Sequence, residues 1–238
     1  MKKIVSLAIV LLFSFSTFSQ SKGFQLGLQL SPNLSWFKPV VNKVDNDGLK
    51  VGFSYGLTGD FNFSDNYAFS TGLFLLNSGG KLKYAVNHLN SDSLKGSTES
   101  NIRLKYIQIP ITIKLRTNEI GYMKYYGQFG LGAAFNYGAV ANESYRYSDH
   151  DNTDKDFNKG NVVFFRPSLI IGLGAEYNLS GNTSLVFGAS FDNGFLNIFK
   201  KKYDADLNGN TFKLDEGKKS KDFNAINNSI VLNLGVIF

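Results

Sequence analysis

Two histidines are the only imidazoles this chain can offer for proton transfer. His88 stands near Asn90, Ser91 and Ser93, and His150 stands between Asp149 and Asp151. An imidazole beside a hydroxyl or a carboxylate is the raw material of a nucleophile–base pair. Catalysis also needs the base held rigidly within hydrogen-bond reach of its partner. Both histidines fall in polar, turn-forming stretches between the predicted strands, so no catalytic residue is expected and the chain is read as a non-enzyme. The absence of cysteine excludes thiol chemistry, disulfides, Cys-based metal sites and a lipid-modified N-terminal cysteine.

Two segments are dense in oxygen ligands. One is Asp149-His150-Asp151-Asn152-Thr153-Asp154-Lys155-Asp156. The other, Asp204-Ala205-Asp206-Leu207-Asn208-Gly209-Asn210, follows the opening of a calcium loop and reaches Asp215 at the twelfth position. Asp204, Asp206, Asn208 and Asp215 are therefore the candidate metal ligands. Asp stands where a bidentate Glu is usual, no flanking helices are evident, and Asp/Asn/Gly clusters more often serve turns. No cofactor is expected. The Gly-x-Gly runs near Gly130 and Gly172 do not open a helix, so they do not form a dinucleotide loop.

A third set of charged residues recurs at strand period. Asp60, Lys114, Arg116, Lys124, Arg166, Glu176 and Asp192 each sit among alternating apolar neighbours, on the opposite parity. Residues two apart on a strand share a face, so these side chains point away from the greasy side. If the strands close into a small barrel, the charges meet inside it and must pair there.

The elements that would place them are strands. Alternation is read over Phe24–Trp36, Leu49–Phe63, Tyr67–Val86, Asn101–Arg116, Tyr122–Val140, Val162–Asn178 and Thr183–Phe199, with a terminal strand within Asn227–Phe238. In the second, Val51, Phe53, Tyr55, Leu57, Phe61 and Phe63 alternate with Gly52, Ser54, Gly56, Thr58, Asp60 and Asn62. In the third, Leu82, Tyr84 and Val86 reverse the parity of Tyr67, Phe69, Leu73 and Leu75, which predicts a β-bulge near Gly79-Gly80. Pro110 within the fourth predicts a local irregularity. Connections after the odd strands are long and those after the even strands are short. That segregation matches a bacterial membrane barrel with an even strand count and both termini on the short-turn side. Aromatic residues cluster at both strand ends. Phe24, Phe61, Phe63, Tyr67, Tyr125, Tyr177 and Phe238 stand at one, and Trp36, Phe37, Tyr137, Phe165 and Phe199 at the other, as two girdles at lipid boundaries.

The chain ends support export. Met1-Lys2-Lys3, the apolar run Ile4–Phe13 and a small-residue stretch to Ser19 predict a signal peptide over 1–19, leaving one domain over 20–238. Without Lys2 and Lys3 the balance is 23 basic against 19 acidic residues, a mild excess carried partly by Lys200-Lys201-Lys202 and Lys218-Lys219-Ser220-Lys221. Solvated loops account for such runs; contact with anionic head groups or polysaccharide is the sharper reading, and nucleic acid is not a partner.

Lys105-Tyr-Ile-Gln-Ile-Pro-Ile-Thr-Ile-Lys114 resembles the fourth strand of PorT-like outer-membrane β-barrel proteins. Gly172-Leu-Gly-Ala-Glu-Tyr177, Leu234-Gly-Val-Ile-Phe238 and Gly27-Leu-Gln-Leu-Ser-Pro-Asn-Leu-Ser35 resemble their sixth, last and first strands. The resemblance implies fold and location more than activity, and it carries no catalytic residues over. Some members are linked to an outer-membrane protein-secretion system.

The expectation is an all-β, eight-stranded, antiparallel up-and-down transmembrane barrel in the outer membrane, monomeric, with periplasmic termini. Its partners would be outer-membrane lipid, the barrel-assembly machinery that reads Phe238, and lipopolysaccharide or envelope proteins. Its role would be structural or interactive, through long extracellular loops, with a polar plug in the lumen. Small-solute transport and a part in secretion assembly are the alternatives.

Overall fold

A computed structural model describes residues 23–40, 44–88, 95–147, 150–157, 162–200, 206–207, 210–213 and 224–238. The signal-peptide expectation over 1–19 therefore lies outside the described residues. Twelve strands follow in chain order: β1 (Phe24–Pro39), β2 (Val44–Gly48), β3 (Lys50–Ser64), β4 (Tyr67–His88), β5 (Lys95–Arg116), β6 (Met123–Tyr147), β7 (His150–Phe157), β8 (Phe165–Ser180), β9 (Thr183–Gly194), β10 (Asp206–Leu207), β11 (Asn210–Lys213) and β12 (Ala225–Ile237). No helix occurs among the described residues.

Eight of them are the staves of a closed antiparallel barrel, in the spatial order β4-β3-β1-β12-β9-β8-β6-β5, with β4 pairing back to β5. Chain neighbours pair throughout, and the first and last strands complete the ring from Gly27 opposite Ile237 to Pro39 opposite Ala225. The remaining four strands are short pieces within the long connections. β2 and β11 add to the outer stretch of β4, β7 adds to β6, and β10 pairs with β11. Tight turns at Asp65-Asn66 and Gly181-Asn182 join β3 to β4 and β8 to β9; Gly181 takes φ +57, which a side chain would disfavour. The other ends of the staves carry the long connections, into which β5 reaches back from the predicted Asn101 to Lys95 and β6 on from Val140 to Tyr147, while β4 ends close to its predicted limit, at His88.

Period-two alternation gives the wall two faces. Leu28, Leu57, Leu73, Ile111, Leu131, Leu173, Phe187 and Leu232 are exposed on the outside, while the alternate residues are small, polar or buried. An exposed apolar belt around a closed sheet is the lipid-facing surface of a membrane barrel.

Three expectations are refined or corrected. The irregularity expected near Gly79-Gly80 is not on the β5 side, where the register runs unbroken through Gly79 opposite Arg103 and Gly80 opposite Ile102; it lies on the other neighbour, β2, whose pairing shifts between Asn46 opposite Leu82 and Gly48 opposite Lys81. Parity never switches; Leu82 is apolar and buried because it faces the interior, which is itself apolar at that height. A further bulge lies on β6, where the pairing with β5 slips between Lys105 opposite Gly138 and Tyr106 opposite Asn136, passing over Tyr137. The local irregularity expected at Pro110 is present on one side: the pairing to β4 is interrupted between Ile111 and Gln108, where Thr71 donates its hydroxyl to the Pro110 carbonyl at 2.8 Å, while the register opposite Gly132 is kept. Finally, β9 stops at Gly194, and Phe199 turns inward rather than extending the strand. Phe37 and Phe199 are fully buried, with ring centroids 6.3 Å apart, so neither belongs to the aromatic rim.

Candidate functional site in the barrel interior

The interior is layered, and each layer follows from which inward-facing residues share a height on the staves. At the end bearing the short turns an open vestibule of about 440 Å³ is lined by Gln25, Asn62, Lys124, Asn178 and Ser184. Lys124 stands in this mouth, 3.7 Å from Glu119 with both side chains well exposed, and so outside the buried network it was expected to join.

Behind the vestibule lies a four-charge cluster. The Lys114 ammonium is 2.6 Å from Asp60 Oδ2 and 3.3 Å from Glu176 Oε1. Arg116 donates through Nε to both Glu176 oxygens at 3.0 and 2.9 Å, through Nη1 to the Asn62 carboxamide oxygen at 2.6 Å, and through Nη2 to Asp60. The Ser70 hydroxyl closes the set on Asp60 Oδ1 at 2.5 Å. All four charged side chains are nearly inaccessible. Two cations face two carboxylates, so the cluster is neutral and each charge is hydrogen-bonded, the condition under which buried ions are tolerated. Lys114 also lies 5.0 Å from the centroid of the Tyr126 ring. That ring covers bare backbone: a Cβ on Gly174 or Gly188 would come within 2.6 Å of the Tyr126 hydroxyl.

Further along, a chamber of about 70 Å³ is lined by Ser31, Ser54, Thr58, Gln128, Ser190 and Asn233 among others. Above it Arg166 and Asp192 pair at 2.9 Å. Gln108 donates to the second Asp192 oxygen at 2.7 Å, and Arg166 also donates to the Asn227 carbonyl at 2.8 Å. The Asn227 side chain stitches the wall, accepting from Ser78 at 2.8 Å and donating to the Gly79 carbonyl at 3.2 Å. The Tyr106 ring lies 6.0 Å from the Arg166 guanidinium.

The layer beneath the long connections is apolar. Phe37, Leu76, Leu82, Ile102, Leu104, Tyr106, Val162, Ile198 and Phe199 form one buried cluster. The segment after β9 supplies its lid. Val163 donates its amide to the Ile198 carbonyl at 2.8 Å, and Ile198 donates to the Ala225 carbonyl at 3.0 Å. Asn197 pins the turn, donating to the Phe199 carbonyl and to Asn224 Oδ1, and accepting from the Phe199 and Ala225 amides. The lumen is therefore a paired ionic core at one end and a largely apolar core at the other.

Of the seven charged residues picked out by periodicity, six come together in two groups: Asp60, Lys114, Arg116 and Glu176 in one, Arg166 and Asp192 in the other. Sequence reasoning missed Gln108, Asn227, Ser70 and Tyr126, which share the inward parity but carry no charge to draw notice. His88 ends β4 and His150 begins β7, so both backbones lie in strands rather than loops. The calcium-like set falls outside the described residues at Asp204, Asn208 and Asp215, while Asp206 lies in β10. Among the described residues no cluster of three or more acidic, His or Cys ligands could hold a metal.

Residues 18–200 match the family model described as outer membrane protein beta-barrel domain. The chain belongs to that family. It is a bacterial outer-membrane protein whose wall sits in the membrane lipid. Among solved structures it is similar to Neisserial surface protein A, at 15% identity, covering 91% of this chain and 96% of that one, with a TM-score of 0.41. It is also similar to Ail, the attachment invasion locus protein of Yersinia pestis, at 16% identity over 92% and 100% with a TM-score of 0.34. A third is the outer-membrane protease OmpT of Escherichia coli, at 10% identity over 92% and 97% with a TM-score of 0.36. No curated protein matches the chain significantly.

Proposed function

We propose that this family member is a non-conducting, non-enzymatic barrel that acts through the surfaces it presents outside the membrane. The observation that carries the reading is the lumen, in which a neutral ionic cluster and an apolar core follow one another along the axis. A hydrated ion crossing the apolar layer would lose its shell to side chains that offer it little beyond the Tyr106 hydroxyl and the Asn136 carboxamide. What remains available for function is the ensemble of long connections built on β2, β7, β10, β11 and the outer stretches of β4 to β6. In this reading residues 1–19 are removed on export, 20–238 form the single monomeric barrel, and both termini face the periplasm. The exposed Phe238 is then available to the assembly machinery. The Ile109-Pro110 strand supports placing the chain among the PorT-like members of the family.

The test is conductance. Purified protein reconstituted in planar bilayers is expected to give no steady single-channel openings. Sustained openings would replace this reading with small-solute transport.

A further inference from the structure

The outer wall changes character where β3, β4 and β5 rise above their lipid-facing rows. On β5 the exposed row Leu115, Ile113, Ile111 and Ile107 continues as Lys105 and Arg103, both exposed. On β4 the row Phe69 and Leu73 leads, past Asn77 and Gly79, to the exposed Lys81. Register sets them side by side: Lys105 is opposite Asn77, Arg103 opposite Gly79, and Asn101 opposite Lys81. Lys50, at the head of β3, lies across the bare backbone of Gly79, where an added Cβ would stand 3.0 Å from Lys50 Cδ. Its ammonium donates to Asn101 Oδ1 and is repelled by both Arg103 and Lys81.

Three exposed cations, Lys81, Arg103 and Lys105, thus share one patch of wall, and the half-buried Lys50 reaches it from the inward parity of β3 through its ammonium. Among the described residues none of them forms an ion pair with a carboxylate. Glu99 is engaged by Lys83 at 3.0 Å, and Asp45 and Asp47 on the adjoining β2 make no ion pair with any of the four. Exposed apolar residues flank the patch: Val51 on β3, and on β6 Tyr137 and Val140, the latter opposite Arg103. Like charges held together with no carboxylate in contact favour a multivalent anion. The patch faces sideways from the wall, directly beyond the lipid-facing rows and beside Tyr137, the level at which headgroups meet a membrane barrel. A lipid seated on the apolar rows below is held by its chains with its charged headgroup at this level, an advantage that a free anion in solution lacks.

We propose that Lys50, Lys81, Arg103 and Lys105 form a binding site for the phosphorylated headgroup of a lipid in the outer leaflet. The leaflet rests on the orientation given above; the chemistry of the site does not.

The full barrel in uncharged detergent, titrated with a bis-phosphorylated glycolipid and with its dephosphorylated counterpart, tests the site by native mass spectrometry. The phosphorylated lipid is expected to bind at least about tenfold more tightly, at roughly fivefold per cation engaged. The variant Lys81→Gln/Arg103→Gln/Lys105→Gln should lose that preference, and Lys124→Gln at the opposite mouth should keep it. Should the triple variant not fold, Arg103→Gln alone should weaken binding about fivefold. Binding by the cation variants within twofold of the parent overturns the proposal. So does displacement by inorganic phosphate at the lipid's own concentration, which would mark a free-anion site. Orientation is read separately in intact cells, where an impermeant maleimide should label Asn142→Cys and not Asn182→Cys. The reverse pattern would overturn the orientation and move the site to the inner leaflet, while leaving the binding result standing.

Discussion

Glu176 accepts hydrogen bonds from both Lys114 and Arg116, so its charge is shared by the two buried cations of the lower cluster. Removing it leaves two cations facing Asp60 alone. Glu176→Gln is expected to lower unfolding stability by about 3–5 kcal/mol, the range for breaking a buried pair by deleting one partner. Adding Arg116→Gln should restore a large part of that loss, because the double variant balances one cation against one carboxylate. Guanidinium unfolding in lipid vesicles measures both; equal losses for the single and double variants would mean that packing rather than charge balance governs the cluster. The same residues illustrate what a sequence discloses. Asp60, Lys114, Arg116 and Glu176 were legible because charge on a strand's inward parity is conspicuous. Which acid meets which base was not, since it depends on the stagger between staves, and alternation alone does not set stagger. Tyr126 was opaque for a similar reason: its place over Gly174 and Gly188 joins three residues on three strands.

Among the elements, the staves were readable and their ends were not. Alternating lipid-facing and inward residues dictate a strand wherever they occur, and that placed all eight. The signal fails where the interior turns apolar. Leu82 then imitates a change of register, and Ile198 with Phe199 imitates a longer β9, because greasy residues on both faces erase the period. The segment from Phe195 to Lys200 is held by Asn197, by burial of Phe199 and by a few backbone contacts, among them an isolated bridge from Phe199 to Val162, rather than by a continuous strand ladder. Phe199→Ala is therefore expected to cost about 3–5 kcal/mol, as for other emptied aromatic sites. The eight-stave sheet should persist, so circular dichroism should retain its β signal while the unfolding midpoint falls. An unchanged midpoint would show that the lid contributes little to the apolar core.

For the molecule as a whole, closure depends on β1 meeting β12. The last rungs are backbone bonds: Leu26 donates to the Phe238 carbonyl at 3.0 Å, and Phe238 donates to the Leu26 carbonyl at 2.7 Å. The Phe238 side chain is exposed and adds little to that seam. Phe238→Ala should accordingly refold in detergent with stability within about 1 kcal/mol of the parent, since surface substitutions seldom do more. Its yield in cell envelopes should drop severalfold if the assembly machinery reads the terminal aromatic ring. Equal yield would remove that role from Phe238.

The seam also sets a timetable. Gly27 finds its partner at Ile237, more than two hundred residues later, so no ring exists until β12 has been made. Until then every hairpin has an unsatisfied edge and a greasy outer face, which makes an unescorted chain prone to aggregation. Pairings this distant in sequence are slow to form. A cell making this protein must therefore keep the earlier staves from aggregating while they wait, unclosed, for β12.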